Sequence, residues 1–319
     1  MPSSAAGPRQ RVAVIVNPIK KTDVDIRGLI DGICRDEGWD EPLWLETSKD
    51  DPGRGMARKA LEAGVDLVIA AGGDGTVRCV AAELVGTNTP LGLLPLGTGN
   101  LLARNLDIAV DNPAAAVRAA LAGTDRAIDV VHVTLDRALE GDVFLVMAGL
   151  GYDAALMGDT NDTLKDRVGW LAYVDAGIRN LPGKPVKSTL RLDGGEEISG
   201  HPRSVMGGNC GKIMGGLEIF PGARIDDGLL DIMTMSPKGR FGWLSVAAGL
   251  LRRGKGSTSV DYYQCKEAEI ITEVPQEFEV DGDHLGKASH VALRVDPGSL
   301  RVRMPHGKKD PAILSDPRV

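Results

Sequence analysis

Val65-Asp66-Leu67-Val68-Ile69-Ala70-Ala71-Gly72-Gly73-Asp74-Gly75-Thr76, running into Val77-Arg78-Cys79-Val80-Ala81-Ala82-Glu83-Leu84-Val85, decides the reading of this chain. An apolar run of strand length ends in three glycines and one carboxylate, and a helical pattern begins at once. Glycines let the backbone approach a phosphate closely, and the N–H groups at a helix start favour an anion. A carboxylate does not ligate phosphate without a cation or proton between them, so Asp74 points to Mg²⁺. The pattern implies a nucleotide site and phosphoryl transfer. The plainer alternative is a tight strand-to-helix connection.

A second loop favours the nucleotide reading. Pro90-Leu91-Gly92-Leu93-Leu94-Pro95-Leu96-Gly97-Thr98-Gly99-Asn100 is another apolar strand ending in a glycine turn, followed by the helical Leu101, Leu102, Asn105 and Leu106. Two such strand ends in one open α/β sheet form a crevice at its carboxyl edge, where ligands bind. Neither loop continues into Gly-Lys-Ser/Thr, which excludes a Walker P-loop. The second also lacks the third glycine of a dinucleotide fingerprint.

The chain has 319 residues, 43% of them apolar, enough for two domains with full cores. Its net charge of −7 argues against a nucleic-acid partner. Cys34, Cys79, Cys210 and Cys265 are far apart, with neither a CxxC pair nor a histidine at metal spacing. They read as reduced structural thiols of a cytoplasmic protein. No signal peptide is visible, and no apolar run approaches the ~18 residues of a spanning helix.

Residues 11–16 form a strand pattern that stops at Asn17-Pro18; 23–37 and 52–63 are helical, and 42–47 is a second strand. Asn112 ahead of Pro113 starts a helix that Gly123 stops. This alternation implies a largely parallel sheet covered by helices. From about residue 126 the pattern changes to short strands at 127–135, 143–148, 188–192, 227–235, 267–272, 277–280 and 291–295. Two helical stretches interrupt them, near 163–180 and 238–253. The expectation is an α/β nucleotide-binding domain over 9–126, then an all-β sandwich domain over 127–304. Residues 1–8 and 305–319 read as flexible tails.

Several motifs in order resemble the diacylglycerol kinase catalytic family, in its soluble bacterial lipid-kinase branch. They are Asn17-Pro18, Gly72 to Thr76, Pro95-Leu96-Gly97-Thr98-Gly99-Asn100 with Ala103-Arg104, Asn209 with Gly215-Gly216, Pro221-Gly222-Ala223 leading into Asp226-Asp227-Gly228-Leu229-Leu230-Asp231, and Val280-Asp281-Gly282-Asp283. The resemblance implies a phosphofructokinase/NAD kinase-like first domain, a β-sandwich second domain, and a cleft between them where ATP meets a lipid hydroxyl. It also implies that Gly72, Gly73, Asp74, Gly75 and Thr76 hold the ATP phosphates. Asn17, Thr47, Gly97, Thr98 and Asn100 complete the nucleotide set. Asp283 is the implied proton acceptor, with Asp281 able to share or take that role. Asp227, with the carbonyls of Arg224 and Leu229, is the implied structural Mg²⁺ site, and Asp74 serves the Mg²⁺ of the nucleotide.

Three positions depart from the family pattern. Asp283 replaces the usual Glu, Leu101 replaces an Asp common after the second loop, and Lys20-Lys21 replace a glycine common near the first strand. The lysines contact phosphate or form a solvated pair. Asp-Gly between apolar runs at 281–282 is equally a hairpin turn, and 226–228 equally a plain turn. Arg104 pairs with Asp74 or with phosphate, or is a surface or capping arginine. A lipid substrate requires peripheral membrane contact; 240–255, with Phe241, Trp243, Leu244, Leu250 and Leu251 between basic ends, fits an interfacial helix or a core helix. The helical stretch at 164–171 is a weaker candidate. An exposed strand edge could pair two copies into a homodimer. Rival functions are an NAD kinase and a nucleotide-binding regulator without catalysis.

Overall fold

The computed structural model describes residues 9–20, 22, 24–139, 141–151, 185–213, 216, 218–237 and 259–306. The stretches 163–180, 238–253 and 240–255, like both expected tails beyond residue 306 and before residue 9, lie outside them.

The first unit runs to Ile128 and regains the chain at Gly298. Its strands β1 (Val12–Val16), β2 (Leu43–Glu46), β3 (Leu67–Gly72) and β4 (Leu91–Pro95) pair in parallel in the order β4-β3-β1-β2. Every residue of β3 and β4 is buried, as expected of parallel strands covered on both faces. Four helices cross between or follow these strands: α1 (Ile26–Asp36), α2 (Arg54–Glu62), α3 (Asp74–Leu84) and α4 (Leu101–Asn105); α5 (Pro113–Ala122) packs on β4. Local sequence explains where they begin. Asp25 accepts from the Gly28 N–H at 3.0 Å to cap α1, and Asn112 accepts from the Ala115 N–H at 3.0 Å to cap α5, with Pro113 behind it.

The second unit spans Asp129–Pro297. Its described strands are β5 (Thr124–Leu135), β6 (Asp142–Phe144), β7 (Met147–Leu150), β8 (Ser188–Leu192), β9 (Glu197–Gly200), β10 (Ser204–Gly208), β11 (Leu230–Met235), β12 (Val260–Cys265), β13 (Glu267–Val280) and β14 (Asp283–Met304). Six of them follow the order β12-β11-β10-β7-β13-β14. The pairings around β13 are antiparallel. β13 changes partner along its length: Ala268–Thr272 pair with β8, and Phe278–Val280 pair with β7. The register shift between Ile271 and Gln276 lies at the change, which is where a bulge lets one strand serve two layers. Phe144, Leu230, Ile232, Phe278, Val280 and Val291 fill the core between them.

Three expectations about elements change. The runs 267–272 and 277–280 are one bulged strand. The run 143–148 is broken at Leu145-Val146, between β6 and β7. The segment 291–295 is part of a 22-residue strand, β14, whose Val302 pairs in parallel with Leu91 of the first unit. From Gly298 onward the chain groups with the first unit.

Candidate functional site

In the first unit the two glycine loops lie against each other. A Cβ on Gly97 would sit 2.6 Å from the Gly73 Cα, and one on Gly72 would sit 2.7 Å from the Thr76 Cβ. Real Cβ atoms do not approach so closely, so glycine at 97 lets the two loop backbones touch and glycine at 72 leaves room for the Thr76 side chain. Gly73 precedes α3 in extended conformation and supplies no side-chain cap to the helix start. Thr76, in the first turn, is buried.

Asp74 ties the second loop to the first. Its Oδ1 accepts from the Leu101 N–H at 2.6 Å, at the start of α4, and a Cβ on Gly99 would meet its Oδ2 at 2.6 Å. Burial raises the Asp74 pKa, while the N–H groups of Leu101, Asn100 and Leu102 pull the other way. Asn100 adopts φ 49° and turns inward: its Oδ1 accepts from the Gly97 N–H at 3.0 Å and its Nδ2 donates to the Gly97 carbonyl at 2.7 Å. Asn100 thus shapes the loop, whereas Thr98 stands exposed on it. Arg104 donates from Nε to the Gly99 carbonyl at 2.8 Å, a capping contact on the second loop. Thr47 is buried, with its N–H on the Val16 carbonyl at 2.9 Å. Asn17 donates from its N–H to the Ala71 carbonyl at 3.0 Å, one residue before the glycine loop.

The second unit holds the other candidate carboxylates. Val280 pairs with Asp283 across a two-residue turn in which Asp281 has φ 47° and Gly282 φ 86°. Positive φ at both central positions is the type I′ hairpin that Asp-Gly favours. The hairpin reading holds, and the turn sets Asp283 at the first position of β14. Asp281 itself is 5% exposed. Its Oδ2 accepts from the Leu145 N–H at 2.8 Å, and its Oδ1 accepts from the N–H groups of Val146 at 2.9 Å and Met147 at 3.0 Å. Those oxygens are committed to the break between β6 and β7. Asp281, expected as a second proton acceptor, is instead the anchor of the turn that presents Asp283, which is half-buried.

The Asp226-Asp227-Gly228 turn is held from β5. Asp129 donates from its N–H to the Ile225 carbonyl at 2.7 Å and accepts at Oδ2 from the Gly228 N–H at 2.6 Å. Asp227 accepts at Oδ1 from the Leu229 N–H at 3.0 Å, and burial raises its pKa. Burial pushes Asp231 up to about 6. Asn209, fully buried, joins the two turns: its Nδ2 donates to the carbonyls of Asp129 at 2.9 Å and Leu145 at 3.0 Å. Sequence reasoning gives Asp129 no role and Asn209 only a place in a motif. An acidic residue at an otherwise apolar strand position, Ile128-Asp129-Val130, is the one signal available for it.

Among the described residues, no three His, Cys, Asp or Glu side chains form a group able to hold a metal ion. The donor types that the resemblance implies at the Asp227 turn, one carboxylate and two main-chain carbonyls, are all oxygen, the chemistry a hard divalent cation takes. None of the four cysteines forms a disulfide and all are buried, and burial pushes Cys34 up to about 11 and Cys265 up to about 12, leaving neither as a thiolate for chemistry at neutral pH.

Residues 11–133 match the diacylglycerol kinase catalytic domain, and residues 146–304 match the YegS C-terminal NAD kinase beta sandwich-like domain. A Pseudomonas aeruginosa protein named "Probable lipid kinase YegS-like" is 32% identical over 277 residues, covering 85% of this chain and 87% of that protein. A Mycobacterium tuberculosis protein named "Diacylglycerol kinase" is 36% identical over 180 residues, 56% of this chain and 58% of that one. A crystal structure of a diacylglycerol kinase from Bacillus anthracis str. Sterne shares the fold at a TM-score of 0.70 and 23% identity, covering 93% of this chain and 97% of that one. With the glycine loops, the Asp-Gly-Asp hairpin and both domain models in their order along the sequence, this chain belongs to the diacylglycerol kinase family of YegS-like lipid kinases.

Proposed function

We propose that the chain transfers the γ-phosphate of ATP, with Mg²⁺, to the hydroxyl of diacylglycerol, forming phosphatidate. The observation that carries this reading is the contact of the two glycine loops at Gly73 and Gly97, beside the uncapped start of α3. Phosphoryl transfer demands positioning and charge neutralisation more than covalent help from the protein. The N–H groups of Gly73, Asp74, Gly75 and Thr76 would take the β- and γ-phosphates at the helix start. Asp74 holds α4 and the second loop against the first, so a nucleotide meets one preformed surface. Asp283 accepts the proton of the lipid hydroxyl as its oxygen bonds to the γ-phosphorus and the bond to the β-phosphate oxygen breaks. Bound Mg²⁺ supplies charge neutralisation, and Asp227 with its neighbouring carbonyls would hold a structural ion in the second unit.

No helix among the described residues is long and apolar enough to cross a membrane. A lipid substrate brings the chain to a membrane surface, in this reading from the cytoplasmic side. The test is transfer of labelled γ-phosphate from Mg·ATP onto diacylglycerol, sphingosine, ceramide and long-chain alcohols in mixed micelles, with NAD in parallel. Label in diacylglycerol is expected. Label in another lipid reassigns the substrate, label in NAD points to an NAD kinase, and ATP binding without label anywhere points to a regulator.

A further inference from the structure

The chain departs from its family pattern where β1 gives way to α1, and that departure reaches the glycine loop. Asn17 docks its N–H on the Ala71 carbonyl at 3.0 Å, at the end of β3. Its side chain then closes the following turn, with Oδ1 accepting from the Ile19 N–H at 3.1 Å, while the Lys20 N–H donates to the Asn17 carbonyl at 3.2 Å. A latched turn of this kind fixes where the next side chain sets out. The Lys20 Cε lies 3.8 Å from the point a Cβ on Gly73 would occupy. The lysine stem therefore runs over the residue that opens α3. The Lys20 side chain is exposed, and none of the described carboxylates lies within ion-pair distance of its ammonium. Gly73 offers no side chain to cap the N–H groups behind it.

We propose that Lys20 is a phosphate-binding residue of this enzyme, its ammonium held over Gly73 by the Asn17–Lys20 turn to pair with the β- and γ-phosphates of ATP. The proposal rests on the nucleotide reading of the glycine loops and adds to it a cation that the loops lack. A lysine is a compact point charge that suits a phosphate without bidentate geometry. Its reach over the helix start makes the β- and γ-phosphates its partners, so it favours ATP over AMP. Lys20 supplies no proton and takes none.

Isothermal titration of the full chain with ATP and with AMP, both in Mg²⁺, tests this. Lys20→Ala is expected to raise the Kd for ATP about tenfold, the worth of one charge-assisted contact, and to leave the Kd for AMP unchanged. Lys20→Arg, which keeps the charge, restores most of the ATP affinity. Equal ATP affinity in wild type and Lys20→Ala overturns the role of Lys20 and leaves the nucleotide reading standing. Equal weakening toward ATP and AMP also overturns it, because the lysine would then act on the loop and not on the outer phosphates. Absence of ATP binding to the wild-type chain removes both.

Discussion

Two aspartates, half-buried Asp74 in the first unit and buried Asp281 in the second, do similar work on different scales. Asp74 accepts from the start of α4, 27 residues further along, and joins two neighbouring strand ends. Asp281 accepts three N–H groups from Leu145 to Met147, more than 130 residues earlier, and joins a hairpin to a break in another strand. Both spend a carboxylate on backbone donors, the arrangement that satisfies orphan N–H groups where no ladder can. The difference lies in what each one carries. The loops beside Asp74 are themselves the surface on which phosphate would sit. Asp281 supports a turn whose next side chain, Asp283, is the proposed proton acceptor. On the proposed function, structure and function share a residue in the first unit and sit two residues apart in the second.

The largest effect expected of this contrast is on stability. Asp281→Ala orphans three buried N–H groups, each costing on the order of 1–3 kcal/mol, so the second unit should lose at least about 3 kcal/mol in denaturant unfolding. Unchanged stability together with lost turnover would return Asp281 to the chemistry and erase the distinction between the two regions. A smaller effect is expected at the glycine contact. Gly97→Ala puts a methyl group 2.6 Å from the Gly73 Cα, whereas a methyl group on Gly73 would lie 3.5 Å from the Gly97 Cα, an ordinary contact. Gly97→Ala should destabilise the first unit by about 1–3 kcal/mol, the usual cost of overpacking, and Gly73→Ala by less. Equal effects of the two variants in denaturant unfolding would mean that the close approach of the loops is unimportant.

The same division between local and distant partners decides how much of the fold and of the site is legible in the amino-acid sequence. The parallel strands, the glycine loops that end two of them and the caps at Asn112 and Pro113 are local patterns, and the first unit follows them. The second unit depends on pairings far apart in sequence. Nothing near Glu267 announces that one strand will bulge and change partners, and nothing near Val291 announces the length of β14. Asp281 is visible as a carboxylate on a turn, but its three donors lie in a distant stretch and are not. Asp129 and Asn209 are hidden for the same reason: their partners, Ile225, Gly228 and Leu145, come from separate stretches of chain.

A still smaller effect sharpens the electrostatic side of the comparison. Asp231 is raised to about 6 by burial, with Asp227 adding like charge against the hydrogen bond from Gln264. Its neutral form is favoured by folding, so stability is full below the ordinary carboxylate value of about 4 and declines as pH rises toward the folded value. Asp231→Asn, measured in EDTA, should raise the melting temperature at pH 7.5 and give no gain near pH 4. A gain that persists at low pH would show that the carboxylate charge is not the cause.

Asp283 is the residue on which the proposed chemistry depends most directly. Phosphate transfer from labelled Mg·ATP to diacylglycerol should be measured for wild type and Asp283→Asn side by side, with ATP affinity and melting temperature taken on the same samples. Loss of a general base predicts a fall in turnover of about 10²–10⁴-fold with nucleotide binding and stability intact. Turnover by the variant near that of wild type would contradict the assignment of Asp283 and, with it, the division between the residue that acts and the residue that holds it.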